Sequence, residues 1–205
     1  MTKKRKNTLQ NARNVVNYSY PRGKGGLQMA RIVILYESAN GFTKSCVERL
    51  AREMNYTECT ICDLGKEEPQ LQQGDVLIVG SPVRRGKLMK KTAAFLKTIE
   101  NRNAYSVGVF LCCGFADRFE EYRDRLISKA IRERAFCIIN FGGTLNPKGK
   151  PFWDKLWLFH ARSQVVESEI EDGEFTPVLP GMIPENIGQM ATFAKKELLA
   201  RSESR

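Results

Sequence analysis

The chain has 205 residues, 42% of them hydrophobic and 27% charged, with a formal net charge of +10; this is enough apolar material for one domain with a sizeable core and too much for a wholly disordered chain. No apolar run reaches the length that crosses a bilayer, and the basic N-terminus has no apolar segment behind it, so neither a membrane span nor a secretory signal is expected. The six cysteines, Cys46, Cys59, Cys62, Cys112, Cys113 and Cys137, fall in or beside expected strands and helices, which suits a reduced, cytoplasmic protein.

The first 28 residues carry Lys3, Lys4, Arg5, Lys6, Arg13, Arg22 and Lys24 and no acid, so seven of the ten net charges sit in a leader without apolar period. Such a segment is expected to be disordered, and a solvated tail accounts for it without a specific nucleic-acid or lipid partner. Lys24-Gly25-Gly26 followed by Leu27-Gln28 matches what a ribosome-binding sequence and spacer would encode, so translation is expected to begin at Met29. Residues 29–205 then form the folded domain.

Short apolar strands alternate with amphipathic helices from Arg31 onward, which predicts right-handed crossovers and a parallel sheet covered on both faces. The first strand is expected over 31–36. A helix over 43–54 follows, with Val47, Leu50, Ala51 and Met54 on one face and Thr43 as N-cap. A weaker strand covers 57–62, and Pro69 keeps 65–74 from forming a long helix. A strand over 76–79, a helix over 87–99, a strand over 105–112, a helix over 118–133 and a strand over 136–141 complete the repeat. Residues 144–180 form an insertion, and Pro184 opens a last helix.

A sheet of this kind binds its ligand outside the carboxyl ends of its strands, where the winding reverses. The loop after the first strand reads Ser38-Ala39-Asn40-Gly41-Phe42-Thr43. Short polar side chains around a glycine turn, at the start of a helix whose free amides and dipole point into the loop, suit a phosphate. Neither the glycine pattern of dinucleotide sites nor the Gly-Lys-Ser/Thr of triphosphatases is present, which argues against a dinucleotide or a nucleoside triphosphate. Ser81-Pro82-Val83-Arg84-Arg85-Gly86 and Cys113-Gly114-Phe115 occupy the corresponding positions after two later strands.

Ile34-Leu35-Tyr36-x-Ser38-x-x-Gly41-x-Thr43 followed by Leu50 resembles the flavodoxin phosphate-loop signature, with Val47 where the family usually has alanine. The resemblance implies a flavodoxin-like doubly wound α/β sheet of order 2-1-3-4-5 and an FMN whose phosphate sits in the first loop. It also implies that Gly80 to Lys87 lies along the isoalloxazine ring. Glu67-Glu68-Pro69-Gln70, Arg84, Gly86 and the run from Phe141 to Leu156 resemble, more narrowly, flavodoxin-domain proteins of the menaquinone-dependent protoporphyrinogen oxidase type. That likeness implies oxidation of an anionic tetrapyrrole with a quinone acceptor. Rival readings are a soluble electron carrier acting on a redox partner protein and a scaffold without flavin.

Other motifs have structural explanations. Arg84, Arg85 and Lys87 suit either an ordinary solvated loop or a rim that attracts anions. Phe115 suits either stacking on the ring, in place of the aromatic that position 85 lacks, or pinning its loop to the core. Cys59 and Cys62 in a strand face opposite sides, as do Cys112 and Cys113, so neither pair is expected to act as a dithiol. No metal site is expected, since no second ligand pair accompanies the Cys59-x-x-Cys62 spacing. No side chain stands out as a general base, and His160, the only histidine, is expected to be structural. The aromatic and cationic stretch 152–162 either covers the sheet edge or touches a membrane surface peripherally.

Overall fold

The computed structural model describes residues 30–55, 59–115, 117–143 and 181–203. The leader 1–28 and the insertion 144–180, with its aromatic stretch and His160, lie outside the described residues.

Five strands, β1 (Ile32–Tyr36), β2 (Cys59–Asp63), β3 (Val76–Pro82), β4 (Ser106–Cys112) and β5 (Cys137–Asn140), form one parallel sheet in the order β2-β1-β3-β4-β5. The parallel sheet is the one expected from the alternating pattern, and its order is the one the flavodoxin resemblance implies. Every residue of β1 and β3 is buried, as unbroken apolar runs are when both faces of a sheet are covered.

Alternation along the strands divides the core in two. Ile32, Ile34, Tyr36, Ile78 and Phe110 face α1 (Phe42–Glu53) and the last helix, where Leu50, Ala51, Ile187 and Met190 meet them. Val33, Leu35, Leu77, Val79 and Leu111 face the opposite side. There they meet Leu96 and Ile99 of α2 (Lys90–Ile99), Tyr122 of α3 (Phe119–Leu126) and Ile131 of α4 (Lys129–Arg134). Each aliphatic side chain fully buried here contributes roughly 1.5–3 kcal/mol. Cys59 and Cys62 join opposite clusters, as do Cys112 and Cys113.

Three expectations need correction. The helix expected over 118–133 is two helices: Ile127 is extended (φ −106°, ψ 123°), and Ser128 begins α4, its Oγ accepting from the Ile131 N–H at 3.4 Å. The break lets Ile127 and Ile131 both reach the core, each 1% exposed. The N-cap of α1 is Gly41, at φ 88°, and Thr43 lies inside the first turn. The helix expected from residue 87 starts at Lys90, because Arg84 and Lys87 exchange both backbone hydrogen bonds, each 2.9 Å, across a tight turn. Strand ends otherwise move by one to three residues.

After β5, β6 (Gly142–Gly143) pairs antiparallel with β7 (Gly181–Met182), closing the neck from which 144–180 leaves and returns, and α5 (Pro184–Glu203) follows. The crossing is tight enough to need glycine: a Cβ on Gly142 would stand 1.9 Å from the Gly181 carbonyl oxygen.

Candidate functional site

The carboxyl ends of β1, β3 and β4 bring the three expected loops to one edge of the sheet. In the first, 37–43, the polar side chains organise the backbone. Ser38 Oγ accepts from the N–H groups of Gly41 at 3.1 Å and Lys44 at 3.4 Å, and Asn40 Oδ1 accepts from Phe42 N–H at 3.2 Å. Ser45 hydroxyl donates back to the Gly41 carbonyl at 3.3 Å. Gly41 holds a positive φ that side chains rarely adopt, and the space where its Cβ would stand is open within 4 Å. Ala39 and Asn40 are exposed beside it, and Phe42 is half-buried.

Thr43 differs from its neighbours. It is 0% exposed, and its Oγ1 has no hydrogen-bond partner among the described residues. A buried hydroxyl left unpaired costs about 1–3 kcal/mol, a cost that an acceptor brought to the amide-rich start of α1 would remove. Beneath it, burial pushes the Cys112 thiol well up and Cys46 adds to the shift, while the Thr43 hydroxyl opposes it through a weak contact with the sulfur that falls short of hydrogen-bond geometry. Burial likewise raises Cys113, with a backbone hydrogen bond from Phe115 opposing. Both thiols therefore stay protonated at neutral pH and serve as packing groups.

The second loop is built on β3. Gly80 must lack a side chain, because a Cβ there would lie 1.9 Å from the Phe110 ring, itself stacked on Phe141 at 4.1 Å. Ser81 is 1% exposed, its Oγ accepting from Met89 N–H at 3.0 Å and donating to the Pro82 carbonyl at 3.1 Å. Its hydroxyl thus serves α2, and Pro82 is buried in the strand. Val83 continues the pairing by donating to the Cys112 carbonyl at 3.0 Å. Arg85 (φ 49°) and Gly86 (φ 70°) then form a turn of the type I′ signature. Arg84, Arg85 and Lys87 are exposed at its tip. Arg125 of α3 braces the turn, Nη2 donating to the Gly86 carbonyl at 3.4 Å while its guanidinium lies 5.1 Å over the Tyr122 ring.

The third loop is pinned from β5. Asn140, 6% exposed, accepts from the N–H groups of Cys113 at 3.2 Å and Gly142 at 3.0 Å, and its Nδ2 donates to the Cys113 carbonyl at 3.3 Å. Gly143 packs so closely on Gly114 that a Cβ would stand 2.4 Å from the Gly114 nitrogen. The Cys113 thiol donates to the Phe115 carbonyl at 3.3 Å, and Phe115 is half-buried against the core cluster of α2 and α3. The structure therefore brings Gly41, Gly86 and Gly114 with their neighbours to one rim, while the side chains of Ser81 and Cys113 turn into the protein.

Two residues that organise this rim went unread in the sequence. Asn140 ends an apolar strand, and only its position two residues before the Gly142-Gly143 break marks it. Glu37 occupies a variable position of the loop signature. Strand alternation places it on the face of α2, where its Oε2 accepts from the Thr92 N–H at 2.6 Å and hydroxyl at 2.8 Å.

The residues present fit a phosphate-bearing flavin: an orphaned buried hydroxyl, a glycine turn with open space and an amide-rich helix start lie on one loop, with two further loops beside it. Among the described residues no helix is long and apolar enough to cross a membrane. No curated protein sequence matches the chain.

Among solved structures, similarity is found to an FMN-bound flavodoxin of Fusobacterium nucleatum (16% identity, covering 82% of this chain and 99% of that one, TM-score 0.47). Similar too are the rubredoxin oxygen:oxidoreductase of Desulfovibrio gigas (14%, 85% and 38%, TM-score 0.44) and the flavodiiron protein of Giardia intestinalis (12%, 83% and 37%, TM-score 0.44). The chain spans less than two-fifths of the length of these last two. The flavodoxin domain family matches residues 33–163, more than half of the chain, and the protein belongs to that family.

Proposed function

We propose that this protein binds FMN across the carboxyl edge of its sheet and exchanges electrons with a redox partner. The observation that carries the reading is the buried, unpartnered Thr43 hydroxyl at the start of α1. When bound, FMN supplies one- and two-electron transfer; the chain supplies the rest. Gly41, Phe42 and Thr43 hold the phosphate against the helix dipole, with Ser38 and Asn40 shaping the turn. Backbone groups of 81–86 and 113–115 flank the ring and limit its contact with water. Protein purified from flavin-replete cells is expected to be yellow and to release FMN on heat denaturation; colourless protein that gains no flavin spectrum with added FMN contradicts the reading.

A finer reading concerns the substrate. Arg85 stands at φ 49°, where glycine or asparagine would sit with less strain. An exposed arginine kept in that conformation at the rim, beside Arg84 and Lys87, supports an anionic partner; a propionate-bearing tetrapyrrole, oxidised with a quinone acceptor as the narrower resemblance implies, fits that charge. Turnover of protoporphyrinogen with menaquinone tests it. Under this reading Arg85→Gly raises KM several-fold while leaving stability equal or slightly higher; unchanged KM, or no turnover by the flavin-loaded protein, favours a carrier serving a protein partner.

A further inference from the structure

The apolar rows Val33, Leu35 of β1 and Leu77, Val79 of β3 face α2 and end in two polar residues, Glu37 and Ser81. They stand side by side, because Tyr36 is in register with Gly80 and Glu37 N–H donates to the Gly80 carbonyl at 3.3 Å. Both side chains reach the start of α2: Glu37 to Thr92, and Ser81 to Met89. That start is poorly provided for by its own sequence. Its N-cap is Met89, with no side-chain cap, and its first turn has no acid and carries Lys90 and Lys91, the wrong sign for a helix N-terminus. Glu37, only 6% exposed, supplies the missing negative charge from another element.

We propose that Glu37 is a positioning residue of the flavin site. By fixing the start of α2 it fixes the 83–88 loop, which hangs between Ser81 and that helix, relative to the phosphate loop that begins at Ser38. One carboxylate thereby sets the spacing between the loop that grips the phosphate and the loop that lies along the ring. The ligand side of this inference rests on the FMN reading above; the loop side does not.

The test uses the full chain with Glu37→Ala and Glu37→Gln. Glutamine keeps an oxygen for the Thr92 N–H and hydroxyl and discards only the charge. Glu37→Ala is expected to weaken FMN and riboflavin alike by about tenfold, the value of one charge-assisted hydrogen bond, while inorganic phosphate competes as it does in the wild type. Glu37→Gln is expected to stay within about threefold of wild type. In the apoprotein, Glu37→Ala is expected to speed hydrogen exchange of the Arg84 and Lys87 amides, which are paired across the turn, and Glu37→Gln to restore their protection. Unchanged exchange at those amides overturns the proposal, as does phosphate affinity falling by the same factor as riboflavin affinity. Should the wild type bind no flavin, the FMN reading fails by itself and amide exchange alone decides the role of Glu37.

Discussion

Under the FMN reading proposed above, Thr43 is the residue that meets the phosphate. A hydroxyl with no partner in a fully buried position is a liability to the apoprotein and an asset to a complex. Thr43→Val, nearly the same in shape, is therefore expected to leave unfolding free energy in urea equal or higher, while FMN affinity falls about tenfold. A structural threonine would show the reverse pattern, lost stability with unchanged affinity. Gly80 makes the complementary case, a position where any side chain is excluded. Gly80→Ala forces a Cβ against the Phe110 ring and is expected to destabilise by about 1–3 kcal/mol, more if the Phe110–Phe141 stack must shift; equilibrium denaturation measures it.

The loop signature showed in the sequence because its small and polar residues are fixed by spacing. Thr43 stood out in the sequence as a candidate site residue, but the N-cap expected there is Gly41. Gly41 takes the cap because only its backbone enters the left-handed region there without strain. Glu37 and Asn140 stayed hidden, since what they do depends on which residues of distant elements stand opposite them.

At the scale of elements, hydrophobic period identified every strand of the main sheet and placed Cys59 and Cys62 on opposite faces, as the two core clusters have them. Period failed where a turn interrupted an apolar pattern without changing it. The run 118–133 keeps helical spacing through Ile127, yet a serine one residue later opens a new helix. Ser128→Ala is expected to cost about 0.5–1 kcal/mol by urea denaturation and to leave FMN affinity unchanged, since α4 lies away from the three loops. The turn at 84–87 was likewise unread, because the type I′ geometry needs positive φ at Arg85, a residue that does not announce it.

β2, at the sheet edge, adds a pH dependence. Burial, aided by Glu67 and Asp63, pushes the Cys62 thiol from its ordinary value of 9.0 to about 11. The folded state therefore holds this proton more tightly than the unfolded chain does. The stabilisation is fully present below about pH 9 and is lost as pH rises through 11. Cys62→Ala is expected to flatten the fall in stability across that window, measured by denaturation at stepped pH. Tyr36, raised to about 12 mainly by burial, and Cys137, raised likewise to about 12, extend the loss to higher pH.

For the whole molecule, the parallel order β2-β1-β3-β4-β5 is one that right-handed crossovers between buried strands allow, and it creates the switch point at which the three loops converge. The site's location is thus a consequence of the winding. What the winding does not specify is the partner. The central claim is that the first loop grips a phosphate. Titration of the apoprotein with FMN and with riboflavin, followed by flavin fluorescence in wild type and Thr43→Val, tests it most directly. Wild type is expected to bind one FMN per chain, at least about tenfold tighter than riboflavin, with the gap narrowed in Thr43→Val. Equal affinity for the two flavins, or binding of neither, would contradict it.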